Sequence, residues 1–210
     1  MGPLARAISV PTVGTAEPHP GYGAVVTTPA PQPPLLFLDV DGPLIPFGAT
    51  PDQLPHGYPT YDTRHGHQHP GPDTNPLITR INPAYGPRLL ALPCTLVWAT
   101  TWMADANDCI APWLGLPQLP VVDWPDPEDD DRTHGLHWKT RALRDRAAGR
   151  PYIWIDDEIT ERDRTWTAAH HPARSLLHRV DPRFGLTDDD FAVIERWLRA
   201  GQNRAQNSEL

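Results

Sequence analysis

Five short apolar runs constrain this chain more than any other feature. They lie at 35–39, 95–100, 120–123, 152–156 and 175–180, each four to six residues long. Unbroken apolar stretches of that length suit strands buried on both faces, because a strand with one wet face would alternate. Helix-length stretches separate the later runs, at about 103–114, 138–148 and 159–170, the second closed by Gly149 and Pro151. A last helix is marked by Thr187 and Asp190 as a capping box, by Phe191, Ile194, Trp197 and Leu198 as its apolar face, and by Gly201 as its stop. Strands alternating with helices predict an α/β fold, a Rossmann-like three-layer sandwich with a mostly parallel five-stranded sheet.

Everything outside that rhythm is rich in proline, of which the chain holds 27 in 210 residues, well over twice the usual ~5 %. Residues 1–34 carry eight prolines and read as a disordered leader. The folded domain is then expected over 35–200, with 201–210 as a flexible tail. Within it, 46–82 is dense in Pro, Gly, His and Tyr without a helical or alternating period, which predicts a long loop insertion rather than a second domain. A net charge of −8 argues against sequence-blind binding along a nucleic-acid backbone. No apolar run is long enough to cross a membrane as a helix, and no secretory signal is expected at the start. Two cysteines, Cys94 and Cys109, make no disulfide framework, and a cytoplasmic setting is expected.

The ends of the predicted strands carry the chemistry. The first runs into Asp39-Val-Asp41-Gly42, the second into Thr100-Thr101, the fourth into Asp156-Asp157-Glu158. In a parallel sheet those carboxyl ends share one edge, where ligands bind. Carboxylates gathered there repel one another, and a hard divalent cation relieves the repulsion; Mg²⁺ takes one or two carboxylates together with phosphate oxygens. Counted from Asp39, Gly42 falls at the fourth position and Pro43 at the fifth, where a calcium-binding loop needs a ligand, which excludes an EF-hand. Lys139 opens the helix that feeds the fourth strand, so its ammonium returns to the same edge, placed to offset the acids and to hold a phosphate.

This order of motifs resembles the haloacid dehalogenase (HAD) superfamily of phosphohydrolases. The four motifs lie in FLDVDGPL (37–44), LVWATTW (96–102), HWKT (137–140) and YIWIDDE (152–158). More narrowly, FLDVDG, WATTW followed by DAN at 105–107, and FGLT at 184–187 are similar to the stand-alone HAD domains associated with bacterial RNA-repair proteins. The resemblance implies Asp39 as nucleophile, forming an aspartyl-phosphate, and Asp41 as the acid that protonates the leaving oxygen and then activates water. It implies Mg²⁺ held by the Asp39 carboxylate, the Asp41 backbone carbonyl and one or both of Asp156 and Asp157. Thr100 or Thr101 would donate to the phosphoryl group, Thr100 being preferred as the first polar residue after the apolar run, and Lys139 would neutralise its charge. Pro43 stands where the family often has Thr or Val; it leaves the acids intact.

Three functions are compatible with this fold. The first is a Mg²⁺-dependent phosphomonoesterase without a large cap, open to a bulky phosphorylated substrate such as an RNA or DNA end. The second is a small-metabolite or nucleotide phosphatase with 46–82 as its lid. The third is a non-hydrolytic HAD-fold binding protein, which would not need the costly set Asp39, Asp41, Lys139, Asp156 and Asp157. Other features read as structural: His65, His67 and His69 as a solvated loop, the acids within 126–131 likewise, Asp105 as stabilising a helix start beside Asn107, and the cysteines as inert. Trp102 is read as stacking on a substrate ring or as plain packing.

Overall fold

The first strand, β1 (Leu35–Leu38), is buried at every position, as its unbroken apolar run demands. This computed structural model describes residues 32–62, 75–124 and 135–208. The leader up to residue 31, the 65–69 histidines and the 126–131 acids lie outside the described residues. After β1 come a 3-10 turn (Pro76–Arg80), α1 (Tyr85–Leu90), β2 (Thr95–Trp98), a π-type turn (Ala106–Ile110) and α2 (Ala111–Leu114). Then follow α3 (Lys139–Ala147), β3 (Tyr152–Asp156), α4 (Glu161–His170), β4 (Ser175–Arg179) and α5 (Asp188–Ser208).

The sheet order is β2-β1-β3-β4 and every pairing is parallel. Leu38 lies beside Trp98 and Ile155, and Asp156 beside Arg179, so all four carboxyl ends reach one edge. Alternate residues of each strand feed opposite faces. Leu36, Leu38, Trp98, Ile153 and Ile155 pack with Leu89 of α1, Leu114 of α2 and Phe191, Ile194 and Leu198 of α5. On the other face Leu35, Phe37, Val97 and Trp154 pack with Leu143 and Ala147 of α3 and with Ile159. Each such large side chain contributes about 1.5–3 kcal/mol by leaving water. The three-layer α/β sandwich expected from the apolar runs is the one observed, with no large cap among the described residues.

The sheet has four strands among the described residues rather than five. The 120–123 run makes one parallel bridge, Val121 to Trp98. Trp98 donates to the Pro120 carbonyl at 2.8 Å and Val122 donates back to Trp98 at 2.9 Å. Pro120 has no N–H to extend the ladder, and pairing stops there. The expected 103–114 helix is interrupted for a similar reason: Pro112 cannot donate to the carbonyl four residues back, and the preceding turn widens, Ala111 donating to Ala106. Gly201 does not end the last helix, which continues to Ser208. Its missing side chain instead makes room for Arg174, whose guanidinium lies against Gly201 and donates to the Trp197 carbonyl at 2.9 Å. Within 46–82 the described ends are anchored: Ile78 and Ile81 are buried, and the Tyr61 amide donates to the Thr79 carbonyl at 2.7 Å.

Candidate active site

Asp39 follows β1 directly, and both its oxygens are engaged. Oδ1 accepts from the Val40 amide at 2.8 Å and Oδ2 from the Lys139 ammonium at 2.7 Å. Lys139, the first residue of α3, also donates to Asp156 Oδ2 at 2.8 Å. Asp156 closes β3 and takes two more donors, the Trp154 indole at 3.1 Å and the Glu158 amide at 2.9 Å. One carboxylate oxygen from each of Asp39, Asp156 and Asp157 lies within 4.8 Å of the other two. The rings of Trp138 and Trp124 stand 5.4 and 6.0 Å from the ammonium and keep it from water.

Two carboxyl groups therefore share one ammonium, with Asp157 alongside, and the three acidities divide accordingly. Burial pushes Asp39 up to about 7 against the opposing pull of Lys139. Asp157 is pushed up to about 6, by burial first and by the neighbouring Asp156 charge second. Burial acts on Asp156 in the same sense, but Lys139 outweighs it and holds that group below the usual carboxylate range. Lys139 itself is held above its ordinary value, its two acids overcoming the burial.

The two acidic loops touch. Gly42 has φ +85°, and a Cβ there would lie 2.6 Å from the Asp157 carboxyl carbon, so only glycine lets the β1 loop approach that acid. Arg179, the last residue of β4, donates from Nε to the Asp157 backbone carbonyl at 2.7 Å and fixes the loop from the other side.

A family model for the HAD domain in Swiss Army Knife RNA repair proteins matches residues 35–191, from the first residue of β1 into α5. The chain belongs to that family. No curated protein and no solved structure matches it. The match spans every group just described, so this HAD domain carries its whole acid cluster on a phosphohydrolase scaffold.

Two expected residues of the HAD domain, Asp41 and Thr100, make no bond to Lys139 or to the three clustered acids and are held by tryptophans instead. The Asp41 carboxylate accepts from the Trp102 indole at 3.0 Å, so Trp102 orients an acid where ring stacking or plain packing was expected. Its neighbour Met103 adopts φ 51°, a left-handed conformation costing about 1–2 kcal/mol for a non-glycine residue. Thr100 is buried, its hydroxyl accepting from the Trp102 amide at 3.3 Å and its carbonyl from the Trp124 indole at 3.2 Å; Thr101 is exposed. Asp105 makes no capping bond, whereas Asn107 ties the Trp98 indole at 3.0 Å to the Leu119 backbone. Burial pushes the Cys94 thiol up to about 12, which keeps it inert.

Several residues that build the site carry roles the sequence did not show, Trp102 among them. His137 accepts from the Lys139 amide at Nδ1, 3.1 Å, which leaves the proton on Nε2 to reach Glu158 at 3.0 Å. The tryptophans 102, 124 and 154 each bring one N–H to the cluster or its loops. Their recurrence beside acids and polar turns, in WIDD and WATTW, was the available signal. The donor set suits a hard cation: three carboxyl groups on oxygen, two of them hard to ionise as they stand, against a single ammonium.

Proposed function

We propose that this HAD domain is a Mg²⁺-dependent phosphomonoesterase acting through an aspartyl-phosphate, on a substrate as bulky as a nucleic-acid end. The observation that carries the reading is the Lys139 ammonium held between Asp39 and Asp156, with Asp157 alongside. A binding scaffold would gain nothing from burying so many charges. Asp39, the Asp41 carbonyl, Asp156 and Asp157 would hold the metal, which when bound neutralises phosphate oxygens.

The chain's own residues account for the rest. An Asp39 carboxylate oxygen attacks phosphorus as the ester P–O bond breaks, and Asp41 gives its proton to the departing oxygen. In the second half Asp41 takes a proton from water, the water oxygen attacks phosphorus, and the Asp39–phosphorus bond breaks to release phosphate. Val40 and Lys139 hold the attacking carboxylate in one plane; the Trp102 indole aims Asp41. Lys139 and Thr100 attend the phosphoryl group. The anchoring of 46–62 and 75–82 onto the domain supports a fixed rim over a closing lid, hence an open site.

The test is hydrolysis of an aryl phosphate by the full chain. Turnover should require added Mg²⁺ and stop in excess EDTA. Undiminished turnover without metal would overturn the metal reading, and no turnover with any divalent cation would overturn the phosphatase.

A further inference from the structure

The chain holds four phenylalanines, and the fold buries two of them, Phe37 and Phe191. The other two, Phe47 and Phe184, are 42 % and 51 % exposed; Phe47 lines a cleft of about 610 Å³, and Phe184 follows Arg183 of that lining. Phe47, Arg179 and Arg183 line that cleft, and Phe184 packs beside Arg183, its ring centre 5.4 Å from the guanidinium carbon. The cleft's two walls are tied backbone to backbone, the Phe47 amide donating to Pro182 at 2.8 Å and the Leu186 amide to Pro43 at 2.9 Å. Burial in the core explains neither ring.

The cleft adjoins the acid cluster. Arg179 forms part of its lining while its Nε holds the Asp157 carbonyl. Arg80 bonds the residue before Phe47, donating to the Pro46 carbonyl at 3.0 Å with its guanidinium 4.3 Å from the Tyr58 ring centre. A protein of net charge −8 thus gathers Arg80, Arg179 and Arg183 on one side of its site, interleaved with exposed aromatic rings. The cleft's own acid, Asp181, is covered by Arg183 through Nε and Nη2, which leaves the Nη1 edge for another oxygen.

Arginines alternating with exposed rings are the chemistry of single-strand recognition: bases stack on the rings while guanidinium groups meet the backbone phosphates. A duplex offers no unstacked base to such a wall. We infer that the Phe47–Arg179–Arg183–Phe184 cleft is a subsite for the nucleotides next to the terminal phosphate of a single-stranded nucleic acid. The inference rests on the phosphatase reading and names the substrate class at that same site.

The experiment reads binding, so that it separates from turnover. A fluorescein-labelled single-stranded hexaribonucleotide with a terminal phosphate is titrated with the full chain carrying Asp39→Asn, and anisotropy is followed. Phe47→Ala and Arg183→Gln, each added to that background, should weaken binding by about 10-fold, in line with the loss of one base stack or one phosphate contact. Leu90→Ala, at an exposed apolar residue of α1, should change nothing, and melting temperatures should stay within a degree or two throughout. Arg183→Gln should also flatten the salt dependence by about one ion. A blunt duplex of the same sequence should bind at least about 10-fold more weakly. Equal affinities for Phe47→Ala, Arg183→Gln and their parent would overturn the subsite, as would preference for the duplex or capture of an acidic peptide in place of the oligonucleotide. Should the unmutated chain hydrolyse no phosphate while binding still depends on Phe47 and Arg183, the subsite stands and the phosphatase reading falls.

Discussion

Asp39 and Asp163 are both buried carboxyl groups near the start of α3, and the chain treats them in opposite ways. Asp163 accepts four donors: the His137 amide at 2.8 Å, the Thr140 hydroxyl at 2.6 Å, and the Thr160 amide and hydroxyl at 2.8 and 2.5 Å. Burial works to raise its pKa, but those donors prevail and hold it below the usual range. At Asp39 burial prevails instead, in spite of Lys139 and the Val40 amide, and the group rises to about 7. A carboxylate completed by fixed neutral dipoles is a structural joint, here tying α3 to the capping box of α4. One left short of compensation, with Asp157 in the same condition beside it, has unmet demand for positive charge. Burial alone does not separate the two kinds; the count of donors does.

Mutation at Asp39 should separate the two carboxyl groups most sharply. Asp39→Asn should cost on the order of 10⁴-fold or more in hydrolysis of an aryl phosphate, with a melting temperature equal to or above that of the parent, since a crowded charge is removed. Loss of folding in place of activity would make Asp39 another Asp163. Asp41→Asn should cost about 10²–10⁴-fold and less for substrates whose leaving group needs no proton; equal losses for aryl and alkyl phosphates would contradict the acid role.

Asp163→Ala should do the reverse of Asp39→Asn. Orphaned donors at Thr140, Thr160 and His137 and the lost helix cap should destabilise the fold by about 2–4 kcal/mol, read by urea titration, while turnover per folded molecule stays near the parent value.

The smallest effect is a pH-dependent one. Asp39 and Asp157 have folded values above their unfolded value of 3.8, at about 7 and about 6. Their contribution to stability is therefore complete below about pH 4 and is lost as pH rises through 6 to 7. Asp156 and Asp163 run the other way, losing theirs only as pH falls below the ordinary carboxylate range. Mg²⁺ should accordingly raise the melting temperature by a few degrees more at pH 8 than at pH 5.5. Equal shifts at the two pH values would mean that the metal does not engage the underserved acids.

The acids of the site were legible because each directly follows an unbroken apolar run, and the parallel register carries strand ends to a common edge. Lys139 was legible for the same reason, through the helix length that returns it there. Asp163 was not: in sequence it is one more acid in the first turn of a helix, and its importance arises from Thr140, twenty-three positions earlier and folded against it. Pro120 and Gly201 misled in instructive ways. A proline beside two valines counted as part of a strand although it lacks the donor a ladder needs, and a glycine counted as a stop although its role is to admit Arg174. The fold used both residues for what they lack.

Gly42 shows how far that economy extends. Its hydrogen is the spacer between the end of β1 and Asp157, since any carbon there would overlap the carboxyl group. The bite of the acid cluster is therefore set by a residue that contributes no ligand. Gly42→Ala would act as a wedge, prising two loops apart while every charged group stays in the chain. Its signature would be a protein that folds, retains all its acids, and still has lost its grip on a small hard cation.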